Sequence, residues 1–230
     1  SSEPITTFIE FDPSITYNSV YQSGLSLVSF PIQSEDSSLD NIFGNLAGNI
    51  TSIISEGQAS TYNQVLGWLG SIQNISPLDG YWISLSNSDE IFIDGLPLGD
   101  AVVYDLNYGA NLISYPFLYN SFLSNALPEN SNEFLEGVIG QGVASTYVEG
   151  LGWVGSLEAF QQGGGYWLKS NAETEFSYLD QGDFATRAHV NSQESSNEDF
   201  AFHQTTKQGF YFIKDIHSEL VNITEGDWIV

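Results

Sequence analysis

The chain contains no cysteine and no methionine, and only four of its 230 residues are lysine or arginine. Without cysteine there is no disulfide and no thiolate metal site. Lys169, Arg187, Lys207 and Lys214 stand against 29 acidic residues, giving a formal net charge of −25. Phosphate recognition needs clustered cations, so no nucleic-acid partner is expected. An anionic membrane surface repels such a chain for the same reason. No apolar run approaches the roughly 20 residues of a spanning helix, so no membrane insertion is expected. No cationic stretch followed by an apolar one opens the sequence. The initial Ser-Ser-Glu-Pro reads equally as a mature start after leader removal or as a trimmed chain. Catalytic signatures are missing as well. There is no Gly-x-Ser-x-Gly elbow, and the run Gly163-Gly164-Gly165 lacks the Lys-Ser/Thr of a phosphate loop. His189, His203 and His217 have no metal-ligand spacing.

What the chain does have is a repeat. "LGWLGSIQNISPLDGYW" at 66–82 returns as "LGWVGSLEAFQQGGGYW" at 151–167. "GLSLVSFP" at 24–31 matches "GANLISYP" at 109–116, and "GQASTY" at 57–62 matches "GVASTY" at 142–147. All of these lie 85 residues apart, with no gap needed across 24–82. Such self-similarity marks a duplicated structural unit. Hydrophobic residues make up 41% of the chain and aromatics 14%, enough for a packed core.

Each unit reads mostly as strand. "LSLVSFP" and "NLISYP" are β-rich runs closed by Pro31 and Pro116. "SSLDNIFGNLAG" has a Ser/Asp start and spaced apolar residues, which predicts a short helix. "ITSIISEG" and "FLEGVIGQG", then "YWISLS" and "YWLKSN", then "EIFIDG" and "EFSYL" follow as strands. The expected fold is mostly β (β-rich α+β): two tandem homologous β modules with short helices, plus a partial C-terminal sheet segment. The organisation reads as an N-terminal arm over 1–23 with "ITTFIEF" as a strand, module one over 24–99, and module two over 100–180. A polar linker follows over 181–199, then a partial β domain over 200–230. That last part ends on an apolar "DWIV", so either the chain continues or another subunit completes the sheet.

The pattern G-x-x-L-[IV]-S-x-P … W-x-G-S-[IL] … G-Y-W resembles a repeat of large secreted proteins of environmental bacteria. There the usual form is Gly-Trp-Asn-Leu-Ile-Ser-x-Pro followed by Gly-Tyr-Trp. Leu25 and Ala110 stand where that family has Trp, and Ser26 where it has Asn. The resemblance implies secretion and modularity rather than a particular chemistry. It also likens the tail, 205–230, to the start of a further domain.

Candidate sites follow from residue type. Trp68, Tyr81, Trp82, Trp153, Tyr166 and Trp167 are expected either to pack in or between modules or to stack on sugar rings. Alternation along a strand puts Tyr and Trp of "GYW" on opposite faces. Phe8, Ile9, Phe210, Tyr211, Phe212 and Trp228 are candidate subunit contacts by strand addition. Asp180 and Asp183 around Gly182, and Asp89 beside Glu90, are candidate oxygen ligands for Ca²⁺, the one cofactor the composition suggests. Asn49, Asn74 and Asn222 fit the N-glycosylation pattern. No acidic residue aligns between the repeats within 24–82, so a duplicated acid–base site is not expected. The functional expectation is a non-enzymatic, extracellular structural protein. It would be a self-associating subunit of a filament, sheath or cell-surface layer, with a glycan-binding or adhesive module as the alternative.

Overall fold

The computed structural model describes residues 14–99 and 102–180. All lie in a unit spanning Ser1–His189; a second unit spans Val190–Val230. The arm strand at 5–11, the linker, the C-terminal segment, the six subunit-contact candidates, Asp183 and Asn222 lie outside the described residues.

The first repeat comprises β1 (Ile15–Tyr21), β2 (Gly24–Val28), β3 (Ile32–Gln33), α1 (Leu39–Ile42), β4 (Ile50–Ser55), β5 (Gln58–Asn63), β6 (Gly67–Gly70), β7 (Tyr81–Leu85) and β8 (Asp89–Pro97). The second comprises β9 (Tyr104–Leu106), β10 (Gly109–Ser114), β11 (Ser121–Phe122), α2 (Leu123–Ala126), β12 (Leu135–Gly140), β13 (Val143–Val148), β14 (Gly152–Gly155), β15 (Ala159–Phe160), β16 (Gly165–Ser170) and β17 (Thr174–Phe176). The fold is mostly β. Each repeat builds the same antiparallel five-stranded sheet, ordered β2-β7-β4-β5-β6 in the first and β10-β16-β12-β13-β14 in the second. Equivalent registers also carry equivalent bulges, between Ile50 and Ser52 and between Leu135 and Gly137.

The repeat begins earlier than Gly24. β1 pairs with β8 through Ser19↔Ile91 and Tyr21↔Asp89, and β9 pairs with β17 through Tyr104↔Phe176 and Leu106↔Thr174, each residue 85 from its counterpart. The segment read as an arm therefore supplies a strand of the first repeat. The alignment also slips once. Leu39 N donates to Gln73 O, and Leu123 N to Glu158 O, so the two short helices lie 84 apart while their partners lie 85 apart. Ser38 caps α1 by accepting from Asn41 N; Phe122 before α2 makes no such side-chain bond. The copies thus diverge where the connecting loop, not the sheet, sets the spacing.

Conserved words of the repeat have mechanical causes. Ser60 and Ser145 are buried and donate to the carbonyls of Ile72 (2.6 Å) and Leu157 (2.7 Å). Ala59 and Ala144 exchange bonds with Ser71 and Ser156. Gly70 and Gly155 have φ of 150° and 155° and press on those same alanine carbonyls, where no Cβ fits. Each repeat has its own core. Phe30, Phe43, Ile53, Tyr81, Ile83 and Ile91 anchor the first, and Tyr115, Leu135, Val138, Phe160, Tyr166 and Leu168 the second.

Candidate functional site

Strand alternation sorts the six shared aromatics. Tyr81 and Tyr166 point into their cores, 2% and 4% exposed. Their hydroxyls accept from Ser76 N (2.8 Å) and Gln161 N (2.6 Å). Burial raises the Tyr166 phenol to about 12, and it raises Tyr81 further. Trp68 and Trp153 are half-buried on the same inner faces, edge-on to Tyr62 and Tyr147. Trp82 and Trp167 face the other way and remain half-exposed.

Those two indoles sit in matching rows on the outer faces of the sheets. One row runs Leu27–Trp82–Ile54–Ala59 across four strands, and the other runs Leu112–Trp167–Ile139–Ala144. Ile54 is 43% exposed and Ile139 47%, while their neighbours Ile53 and Val138 are fully buried. Leu69 and Val154 lie one row along, also exposed. The signal for this surface was available: Tyr81-Ile83-Leu85 marks the inner parity of the strand, leaving Trp82 outside.

The inner ends of the rows, Leu27 and Leu112, are buried where the repeats meet. Val28 bridges Gly164, and Ile113 bridges Asp79. Ser29 N donates to Gly163 O (2.7 Å), and Ser114 N donates to Leu78 O (2.9 Å). Leu27 N donates to Gln141 Oε1 (2.8 Å), and Leu112 N to Glu56 Oε2 (3.1 Å). Gly80 and Gly165 are needed here because a Cβ on either would strike Leu112 and Ile113, or Val28 and Leu27.

Two clefts flank this junction at equivalent places. One, of about 520 Å³, is lined by apolar groups including Leu27, Phe122, Val143 and Leu157. Its counterpart, of about 350 Å³, is polar and holds Glu56, Asn74, Asp79, Asp105, Asn107 and Asn111. Partial burial raises the Asp79 carboxyl above its ordinary value; bonds from Ser76 and Tyr81 oppose this, and the Glu56 charge adds to it. Sequence reading missed Glu56 and Gln141, because identity across the repeats was the signal sought and this pair differs.

The candidate calcium ligands are placed separately. Asp89 accepts from Asn49 Nδ2 (2.9 Å) and Glu90 N (2.9 Å), which hold its carboxyl below the ordinary range. Glu90 instead accepts from Asn18 (3.2 Å). Asp180 accepts from the Tyr119 hydroxyl. Among the described residues no three His, Cys, Asp or Glu side chains are grouped to hold a metal ion. Asn49 also donates to Asn87 O and accepts from Asn87 N, so its amide is engaged in loop closure. Lys169 is the only cation among the described residues and forms an exposed pair with Glu136 (2.6 Å). No helix among the described residues is long and apolar enough to cross a membrane.

Compared with protein-family models, characterised proteins and solved structures, the chain matches none.

Proposed function

We propose that this chain is a non-enzymatic structural module that is exported and self-associates in an extracellular filament, sheath or surface layer. One observation carries the reading: the apolar row centred on Trp82 and Ile54 is repeated around Trp167 and Ile139, and in both places it faces outward. Neither core uses these side chains. Exposed Ile54 and Ile139, beside partly exposed Trp82 and Trp167, support a contact surface, because water penalises such apolar groups until something covers them. The charge supports the same reading. With −25 per chain, copies repel unless salt or divalent cations screen them, so assembly is governed by ionic conditions. Calcium enters the proposal in that screening role.

The same half-exposed indoles favour one second reading. Trp82 and Trp167 are partly exposed on the same sheet faces as Thr61 and Thr146, a combination of aromatic ring and hydroxyl suited to a sugar. The experiment is light scattering on the intact chain at low salt, high salt, with calcium and with chelator, repeated on the Trp82→Ser/Trp167→Ser double variant. Large particles that shrink in the folded double variant support assembly through the rows. A monomer under every condition overturns it, and glycan-array binding lost in the double variant would establish the sugar reading instead.

A further inference from the structure

Several of the contacts that join the two repeats are the same contact made twice. Val28–Gly164 and Ile113–Asp79 are equivalents under the 85-residue offset. So are the bonds Ser29–Gly163 and Ser114–Leu78, and the bonds Leu27–Gln141 and Leu112–Glu56. Each repeat gives its first edge strand, β2 or β10, and takes the other's turn, 76–80 or 161–165. An interface of that kind is isologous, the form by which identical subunits make two-fold dimers.

We infer that this interface also forms between copies of the chain, the first repeat of one pairing with the second repeat of another, so that the partner is a second copy exchanging repeats. The inference deepens the assembly reading by naming the contact, and it rests on that reading only in holding that the chain associates with itself.

Three features make exchange feasible. The two cores are built from separate residues, the first from Tyr17–Ile93 and the second from Tyr104–Tyr178, with Leu118 the partly buried crossing group. Parting the repeats therefore leaves both cores largely intact. What parting exposes is the backbone of the edge strands β2 and β10 together with Leu27 and Leu112, all of which require re-pairing or re-covering. Every bond lost is then regained in the same geometry from another chain. Finally, only residues 98–103 connect Pro97 to Tyr104, a span of at most about 25 Å. Short connections favour exchange over re-closure. The cost of leaving the intramolecular pairing is set by effective concentration, about millimolar for a short flexible tether. A dense extracellular layer with screened charge approaches that regime. Reciprocal exchange closes a dimer, and onward exchange gives an open chain.

The absence of cysteine gives a clean test. Asp79 and Ile113 face each other as a bridge pair flanked by the bonds Gly80 N to Leu112 O and Ser114 N to Leu78 O. That arrangement sets their Cα atoms roughly 4.5 Å apart, within disulfide reach. In the full chain carrying Asp79→Cys and Ile113→Cys, oxidation in dilute solution is expected to give intrachain bridges. Oxidation after incubation at about 1 mM in high salt, just below the unfolding midpoint, is expected to give a reducible ladder of dimers and longer species on a denaturing gel. Large native particles whose bridges are all intrachain would overturn repeat exchange and leave assembly through another surface. Monomers throughout would overturn both. If the double variant does not fold, native mass spectrometry on mixed isotope-labelled and unlabelled unmodified chains decides. Heteromers formed only after the concentrated incubation support exchange, and unmixed species overturn it.

Discussion

Replacing Gly165 with alanine tests whether the repeats are held together where their backbones cross. A Cβ there would lie 2.6 Å from Val28 O and 3.2 Å from Leu27 Cδ1, whereas ordinary contact begins near 3.4 Å. Accommodating it requires β2 and β16 to separate by most of 0.8 Å, the difference between those distances. The neighbouring Ser29 N–Gly163 O bond, now 2.7 Å, would stretch beyond hydrogen-bonding range. Overpacking costs about 1–3 kcal/mol and the lost bond about 1 kcal/mol, against roughly 0.4–1 kcal/mol returned by the stiffer unfolded chain. The net is a destabilisation of about 1–3.5 kcal/mol, or roughly 2–14 °C in Tm for a chain of this size. Gly80→Ala meets Leu112 Cδ1 first, at 2.7 Å, and a side-chain end can move, so about 1 kcal/mol is expected. Gly44→Ala meets nothing within 4 Å and serves as the neutral control. The assay is urea and thermal unfolding of all three variants. A Gly165→Ala chain within about 0.5 kcal/mol of wild type, or a Gly80→Ala chain worse than Gly165→Ala, would refute the crossing as the rigid part of the junction.

Two further outcomes are expected. Tyr166→Phe removes the acceptor of Gln161 N and should cost about 1–2 kcal/mol in urea unfolding, whereas Tyr178→Phe, whose buried hydroxyl has no partner among the described residues, should be neutral or stabilising. The pH dependence should divide by sign. Asp79 has a raised folded pKa, so its penalty is absent below the ordinary carboxylate range and grows as pH rises through the folded value. Asp79→Asn should therefore stabilise at neutral pH but not below about pH 4. Asp89 has a lowered folded pKa, so its contribution is present above the unfolded value and is lost on acidification, and Asn49→Ala should weaken that acid sensitivity. Unfolding curves of each variant from pH 3 to pH 8 check both directions.

Much of the sheet architecture was legible because a duplicated sequence must repeat its hydrogen-bond register. Pro31 and Pro116 do follow strands, and Ser38 does start a helix. The first strand was harder to place because its counterpart shares almost no side chains: Ser19 matches Tyr104, and Tyr21 matches Leu106. Its pairing is recorded in backbone bonds, which leave little trace in residue type. The junction was harder still. Gly80 and Gly165 look like turn glycines, since local sequence carries no sign that the neighbour excluding a Cβ belongs to the other repeat. The outer Trp rows were legible in parity alone, because whether a strand's second face meets water depends on tertiary neighbours.

The two clefts beside the junction differ for a reason that lies in the genetics of the fold. In a dimer of single-repeat chains, every substitution is installed twice, and both clefts must change together. Carrying both halves on one polypeptide releases that constraint. Glu56 and Asp79 are acidic on one side, and Gln141 and Gly164 take the equivalent places on the other. Two unlike halves on one polypeptide thus give the molecule two distinguishable sides, and with them a direction, which a symmetric dimer of identical repeats would lack.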